Sequence, residues 1–279
     1  MYYILVNPLS NNGTSVDALK TLEEYFNTKN IIHTSLNLIE VSRNVKEFID
    51  NLTSDDDVVI IGGDGTLHRF ANEIRNYEIP CQMYLYKAGT GNDFSREFKK
   101  QKLINITKHI TNLPMMIIDG HEELFLNGTG IGVDGEVCAL VNNMQSSKRG
   151  LNYFKNALKT FKSFKRYDLE VTVDGVRHTF KRVWLATAMN GKYFGGGMKL
   201  SPNSDRGDDV LELFVIHTLG FWKLLCVFPL IFLGKHLWFK YLGISILKGR
   251  EFIFEASTPQ VLQSDGEVLN GIKNFIIKK

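Results

Sequence analysis

Val58-Val59-Ile60-Ile61-Gly62-Gly63-Asp64-Gly65-Thr66 follows Asp55-Asp56-Asp57 and leads into the stretch from Leu67 to Ile74. The β-branched run predicts a buried strand, and Leu67 onward predicts the start of a helix. Three glycines and one carboxylate therefore stand where a strand turns into a helix. Glycines at such a turn admit positive φ and let a ligand approach the main chain. The N–H groups there form an anion-binding concavity, for which a phosphate is the natural guest. A tight connection with no ligand would use the same residues. Two nucleotide fingerprints fail here. A dinucleotide turn needs a third glycine where His68 stands, and a P-loop needs a lysine that the stretch lacks. Asp64 repels a phosphate unless a divalent cation or a hydroxyl proton lies between them, which points to phosphoryl transfer rather than simple nucleotide holding.

Two further loops repeat the pattern. Tyr84-Leu85-Tyr86 predicts a strand that runs into Gly89-Thr90-Gly91-Asn92-Asp93-Phe94-Ser95-Arg96. Tyr2 to Val6 predicts the first strand, which runs into Asn7-Pro8-Leu9-Ser10-Asn11-Asn12-Gly13. Ligands of open α/β sheets bind beyond the carboxyl ends of strands, so the three loops are expected to share one site. Asp93 also reads as a helix N-cap before Phe94.

The rest of the chain bounds this reading. Its 279 residues suffice for one large or two ordinary domains. A hydrophobic content of 44% with 23% charged residues is ordinary for a soluble globular protein. The net charge of +3 is too small to argue for nucleic acid, and it permits mild attraction to an anionic lipid surface. Cys81, Cys138 and Cys226 have neither metal-site nor redox spacing and read as thiols of a reducing compartment. The first strand begins at Tyr2, so no signal peptide is expected and a cytoplasmic location is.

Residues 1–118 alternate strand and helix signals, with amphipathic faces at Val16, Leu19, Phe26 and at Val45, Phe48, Ile49, Leu52. That alternation predicts an α/β domain on a parallel sheet, with Met115 to Ile118 leading out of it. Over 119–279 the pattern becomes mostly antiparallel β. Leu124 to Asn127 predicts a strand, followed by Gly128, Gly130 and Gly132. Leu169, Val171 and Val173 alternate with polar residues, Asp174-Gly175 predicts a hairpin turn, and Val176 to Trp184 returns. Leu213 to Ile216 and Phe252 to Phe254 add strands. Composition alone does not choose a sandwich over a barrel.

Phe221 to Leu242 is the most apolar region. Its ten uncharged residues from Leu224 to Leu233 are too few to span a bilayer, which takes roughly 20, and Pro229 interrupts them. One reading packs this segment on the sheet. The other is an interfacial element with Trp222, Phe228, Phe232, Trp238 and Phe239 toward lipid and Lys223, Lys235, His236 and Lys240 toward headgroups. Basic clusters at Lys148-Arg149 and from Lys162 to Arg166 read as solvated faces.

Asn7-Pro8-x-Ser10, Gly62 to Thr66 and Gly89 to Arg96 together resemble, in order and spacing, the three signatures of the diacylglycerol kinase catalytic-domain family, which includes bacterial soluble lipid kinases and sphingosine kinases. Gly195-Gly196-Gly197-Met198-Lys199, Asp208-Asp209-Val210-Leu211-Glu212 and Asp265-Gly266-Glu267 extend the resemblance over nearly the whole chain. Four positions depart from the family's usual residues: Asn11 after Ser10, His68 and Arg69 after the second loop, and Asp209 after Asp208.

The resemblance implies a β-sandwich C-terminal domain and an active site in the interdomain cleft. It implies transfer of the γ-phosphoryl group of ATP, with Mg²⁺, to a lipid hydroxyl, diacylglycerol foremost, at a membrane surface. Nucleotide contacts are expected from Asn7, Pro8, Leu9, Ser10, Asn11, Gly62, Gly63, Gly65, Thr66, Leu67, Thr90, Asn92 and Asp93. Asp64 and Asp93 would hold catalytic Mg²⁺ directly or through water. Glu267 resembles the general base, with Asp64 the alternative and Asp265 supporting the metal or the base. Asp205, Asp208 and the main chain at Val210 resemble a structural Mg²⁺ site. An NAD kinase shares the Gly-Gly-Asp-Gly-Thr signature, and a non-catalytic nucleotide or lipid sensor is the third reading. A homodimer is compatible with all of them.

Overall fold

The computed structural model describes residues 1–8, 14–88, 92–98, 101–142 and 158–279. Leu9, Ser10, Asn11, Gly89, Thr90, Gly91 and Lys148-Arg149 lie outside them. The chain divides into two compact units, Met1–Leu113 and Pro114–Lys279. The division falls before Met115–Ile118 rather than after it, because among the described residues that strand pairs with strands of the second unit.

The first unit is built on a five-stranded sheet. In chain order its elements are β1 (Tyr2–Val6), α1 (Thr14–Thr28), β2 (His33–Asn37), α2 (Leu38–Arg43), α3 (Val45–Asp50), β3 (Asp57–Gly62), α4 (Asp64–Ile74), β4 (Gln82–Lys87), α5 (Asp93–Arg96), β5 (Leu103–Asn105) and α6 (Thr107–Ile110). The strand order is β2-β1-β3-β4-β5, parallel except for β5. Ile4, Leu5 and Val58 to Ile61 are fully buried, as strands covered on both faces require. On α1 the buried face is Ser15, Leu22 and Phe26, at helical spacing. Val16, expected on that face, is exposed, and Leu22 takes the inward position. The strand β2 lies outside β1, so β1, β3 and β4 are spatial neighbours although they are not consecutive.

The second unit contains β6 (Met115–Ile118), β7 (His121–Leu124), β8 (Gly128–Gly132), α7 (Val133–Asn142), β9 (Tyr167–Val173), β10 (Val176–Met189), β11 (Leu211–His217), α8 (Phe221–Phe232), a 3-10 turn His236–Leu242, β12 (Ile244–Gly249), β13 (Glu251–Ser264) and β14 (Glu267–Lys278). All pairings among these strands are antiparallel. The two 14-residue strands organise the sheet. The first parts of β10 and β13 flank β9, and their last parts flank β8. Register shifts interrupt both, in β10 between Phe180 and Val183 and in β13 between Glu255 and Gln260, where a strand can bend from one layer to the next. Residues from both parts, among them Val171, Phe214, Phe252 and Leu262, fill one core.

Two expectations change here. The strand expected over Leu124 to Asn127 ends at Leu124, and the glycine run itself is the strand β8. Glycine is required there because β10 lies so close: a Cβ on Gly130 would stand 2.5 Å from Thr187 Cα. The segment Phe221 to Leu242 divides its side chains. Leu224, Val227, Ile231 and His236 are buried and Phe228 and Phe239 pack on the core, whereas Trp222, Phe232 and Trp238 are exposed. Phe228, Phe239 and His236 therefore leave the set expected to face lipid. No helix among the described residues is long and apolar enough to cross a membrane.

Candidate active site

In the first unit, the register Val6↔Ile61 and Ile61↔Tyr86 sets the carboxyl ends of β1, β3 and β4 side by side. Asn7 and Pro8 leave the first of these ends, Gly62 closes the second, and Ala88 follows the third, donating its N–H to Gly62 O at 3.1 Å. The loops read from the sequence thus emerge from adjacent strands.

At Gly63, the N-cap of α4, the chain turns into the helix, and the N–H groups of Thr66 and Leu67 close on its carbonyl. None of Gly62, Gly63 and Gly65 has positive φ, contrary to the expectation for this turn. What these positions need is room. A Cβ on Gly62 would lie 2.6 Å from Thr66 Cβ, while the space beside Gly65 is open for 4 Å. A helix start with a bare first turn leaves its leading N–H groups accessible to an anion. Leu67, expected among the nucleotide contacts, is fully buried with its N–H committed to Gly63 O.

Asp64 Oδ2 accepts the N–H of Asp93 at 2.6 Å, and Oδ1 accepts that of Phe94 at 3.3 Å. The side chain of Asn92 makes no capping bond at the start of α5, so Asp64 supplies the cap from another loop. Asp93 is the first helical residue and not the N-cap. It is buried, and Arg96 Nε lies 3.4 Å from its Oδ1. The two carboxylates are brought together through the main chain, with Asp64 turned toward N–H donors.

In the second unit, Asp265 and Gly266 form the two-residue turn between β13 and β14, with φ of 48° and 101°, as a primed hairpin turn requires. Glu267 opens β14, exposed, opposite Ser264. The turn is held on both sides. The Asp265 carboxylate accepts the N–H groups of Leu126, Asn127 (2.8 Å) and Gly128 (3.4 Å). These bonds draw Leu126 and Asn127 away from a strand ladder. From the other side Asn142 Nδ2 and Cys138 Sγ donate to Gly266 O at 3.0 and 3.2 Å, and Gly266 N–H meets Gln263 Oε1 at 3.2 Å. Asp265, expected to support a metal or the base, thus anchors the loop that carries Glu267.

Burial, joined by the charges of Asp134 and Glu267, pushes the Cys138 thiol up to about 11. Asp134, in the first turn of α7, is itself pushed up to about 6 by burial, against main-chain hydrogen bonds and those from Thr187 and Gln263.

At the expected metal turn, Gly207 N–H donates to Asp205 Oδ1 at 2.9 Å and Asp208 N–H to Asp205 O at 3.1 Å. Between them Arg206 is buried, donating to Leu126 O and, at 2.6 Å, to Asn127 Oδ1. Asn190 Nδ2 also reaches Leu126 O, at 2.9 Å. The loop Phe125 to Gly128 therefore ties the Asp205–Asp209 turn to the Asp265 turn. Asp209 lies 3.6 Å from Arg250 Nη2. No group of three or more His, Cys, Asp or Glu among the described residues is placed to hold a metal. Two carboxylates and main-chain oxygens in this turn are the hard donors that Mg²⁺ takes. Sequence reasoning missed Arg206, Asn127, Asn190 and Asn142. None of these carries a local signal; Asp134, also missed, does, as a carboxylate directly after the glycine-rich run Gly128 to Val133.

Comparison with known proteins gives two family matches. Residues 1–121 match the diacylglycerol kinase catalytic domain, and residues 128–274 match the YegS C-terminal NAD kinase beta sandwich-like domain. A Bacillus subtilis protein named "Putative lipid kinase YtlR" is 22% identical, over 96% of this chain and 93% of its own. A Mycobacterium tuberculosis protein named "Diacylglycerol kinase" is 24% identical, over 83% of this chain and 78% of its own. The fold is shared with a crystal structure of a Bacillus anthracis protein described as a "putative diacylglycerol kinase", at a TM-score of 0.70, 23% identity, and coverage of 100% of this chain and 92% of that one.

Proposed function

Because the chain belongs to the diacylglycerol kinase catalytic-domain family, we propose that it transfers the γ-phosphoryl group of ATP to a lipid hydroxyl at a membrane surface, with diacylglycerol as the first acceptor to test. The observation that carries the proposal is the Asp64 bridge. It fixes the glycine-rich start of α4 against the loop that begins α5, at the carboxyl ends of adjacent parallel strands. That is where such a sheet binds phosphorylated ligands.

The division of labour follows from the side chains. The leading N–H groups of α4 and the open space at Gly65 receive phosphate oxygens, with Asn7, Pro8, Gly62, Gly63, Thr66 and Asn92 around them. Leu9, Ser10, Asn11 and Thr90 are assigned here from sequence. Mg²⁺ would neutralise phosphate charge when bound; Asp64 and Asp93 are its assigned partners, directly or through water. Glu267 takes the proton of the acceptor hydroxyl on its exposed carboxylate, and Asp265 positions it. Asp205, Asp208 and the Val210 carbonyl are assigned to a second, structural Mg²⁺.

The test is incubation with γ-labelled ATP, Mg²⁺ and a panel of diacylglycerol, sphingoid base, phospholipid and prenyl alcohol in mixed micelles, with NAD as a parallel acceptor. Label in a lipid product supports the proposal. Label in NAD reassigns the chain to nucleotide phosphorylation, and binding of ATP with no transfer to any acceptor makes it a sensor.

A further inference from the structure

The outer face of α8 and of the 3-10 turn after it has no use in the chemistry above. Most surface helices are apolar on one side only. The helix α8 buries Leu224, Val227 and Ile231 and still presents Trp222, Leu225, Phe232 and, at its end, Leu233 to solvent. The 3-10 turn is anchored from beneath. His236 is fully buried, with Nε2 on Leu200 O at 3.0 Å and its ring edge-on to Phe214. That anchor turns Trp238, Lys240 and Tyr241 outward. The exposures are large: 76% for Trp222, 69% for Trp238 and 76% for Tyr241.

Charge decides what covers this face. From Phe221 to Arg250 the sequence has no Asp or Glu. Lys223, Lys235 and Lys240 stand exposed among the aromatics, and Lys235 Nζ lies 5.3 Å from the Trp238 ring centroid. A second copy applied to the same face would set lysines against lysines with no carboxylate on the segment to meet them. A lipid surface suits both features. Trp and Tyr place an apolar body and a polar tip at the headgroup level. Lysines extend their stems over apolar surface while the ammonium meets anionic headgroups.

We propose that Trp222, Phe232, Leu233, Trp238 and Tyr241, with Lys223, Lys235 and Lys240, form a docking face for an anionic bilayer. This rests on the lipid-kinase reading only in naming why a bilayer is approached; binding itself needs neither ATP nor turnover.

The chain has three tryptophans, and Trp184 is buried. Tryptophan emission therefore reports Trp222 and Trp238 directly. The experiment adds phosphatidylcholine vesicles, with and without phosphatidylglycerol, to the full chain and follows emission and flotation. The expected result is a blue shift and co-flotation with the phosphatidylglycerol vesicles, weakening as salt rises. Trp222→Ser with Trp238→Ser should weaken partition by about tenfold or more. Lys223→Gln, Lys235→Gln and Lys240→Gln together should abolish the preference for anionic vesicles. All five side chains are exposed, and unchanged thermal melts would show that each variant folds. Tyr25→Ser, at an exposed site of the first unit, should change nothing.

Unshifted emission, or variants that float like the parent, would overturn the proposal. So would a parent dimer that the tryptophan variants convert to monomer without lipid, since the occupant would then be a second copy. Vesicle binding without phosphorylation of any lipid would sink the kinase reading and leave this face standing. Phosphorylation of micellar lipid without vesicle binding would do the reverse.

Discussion

Asp64 Oδ2 and the N–H of Asp93 lie 2.6 Å apart, and this bond joins two loops 29 residues apart in sequence. A carboxylate that the sequence set against a phosphate is also the cap of a neighbouring helix. Its negative charge faces the N–H groups at the start of α5, where a helix end favours it. Asp64 caps α5, and the proposed function gives it a second use beside the phosphates; its replacement should show both.

Asp64→Ala removes the acceptor for two main-chain N–H groups. The variant should lose about 1–2 kcal/mol of stability, as caps do, together with phosphoryl transfer. Asp64→Asn keeps one acceptor oxygen and should recover part of the stability without the activity. Urea midpoints for the three proteins check this. A fully stable Asp64→Ala protein would show that the cap is dispensable.

Asp265 is expected to act through the shape of its turn. Asp265→Ala leaves three N–H groups of the Leu126–Gly128 segment without their acceptor, which costs about 1–3 kcal/mol when such groups are buried. It should lower kcat on lipid while leaving ATP binding by calorimetry intact. Asn142→Ala, which removes one of the bonds to Gly266 O, should have the same effect in weaker form. Loss of ATP affinity in Asp265→Ala would assign that carboxylate to nucleotide or metal instead.

Replacing Asp208 tests the proposed structural ion separately from the proposed catalytic one. Added Mg²⁺ should raise the melting temperature of the parent, because an ion that binds only the folded chain stabilises it. In Asp208→Ala that increment should disappear. An equal rise in both proteins would remove the ion from this turn.

Asp134 makes a prediction about pH. Its folded value of about 6 lies above that of an unfolded aspartate, about 3.9. Between these values the folded chain holds the proton more tightly. Stability from this group is therefore fully present below about pH 4, falls as pH rises toward 6, and stays flat above. The full span is on the order of 3 kcal/mol. Asp134→Asn should abolish this component, so the parent should lose stability relative to the variant from pH 4 to 7. A parent–variant difference that does not change with pH would contradict it.

Much of this was legible in the sequence. The carboxyl ends of β1, β3 and β4 were legible to within a residue, because apolar and aromatic runs stop there at turn residues, a local signal. The Asp174-Gly175 hairpin is equally local, since both residues take positive φ. Val16 was misplaced because one helical position separates the inner and outer faces of α1. The interior of the second unit was hidden for another reason. Asn127, Arg206 and Asp265 meet across 79 and 138 residues of chain, and no local pattern distinguishes a buried arginine from a solvated one. Local pattern places the strand Gly128 to Gly132 four residues too early, over Leu124 to Asn127, because the cause of its glycines, the close approach of β10, lies in another strand.

The most direct measurement is single-turnover transfer of labelled phosphate from ATP to diacylglycerol by the parent and by Glu267→Gln. The substitution preserves shape at an exposed position and removes the proton acceptor. Transfer should fall by about 10² or more, the scale that a positioned acid–base group supplies, with ATP affinity unchanged. Equal rates in the two proteins would contradict the assignment of Glu267 as the base, and absence of transfer by the parent to any lipid acceptor would contradict the proposed function itself.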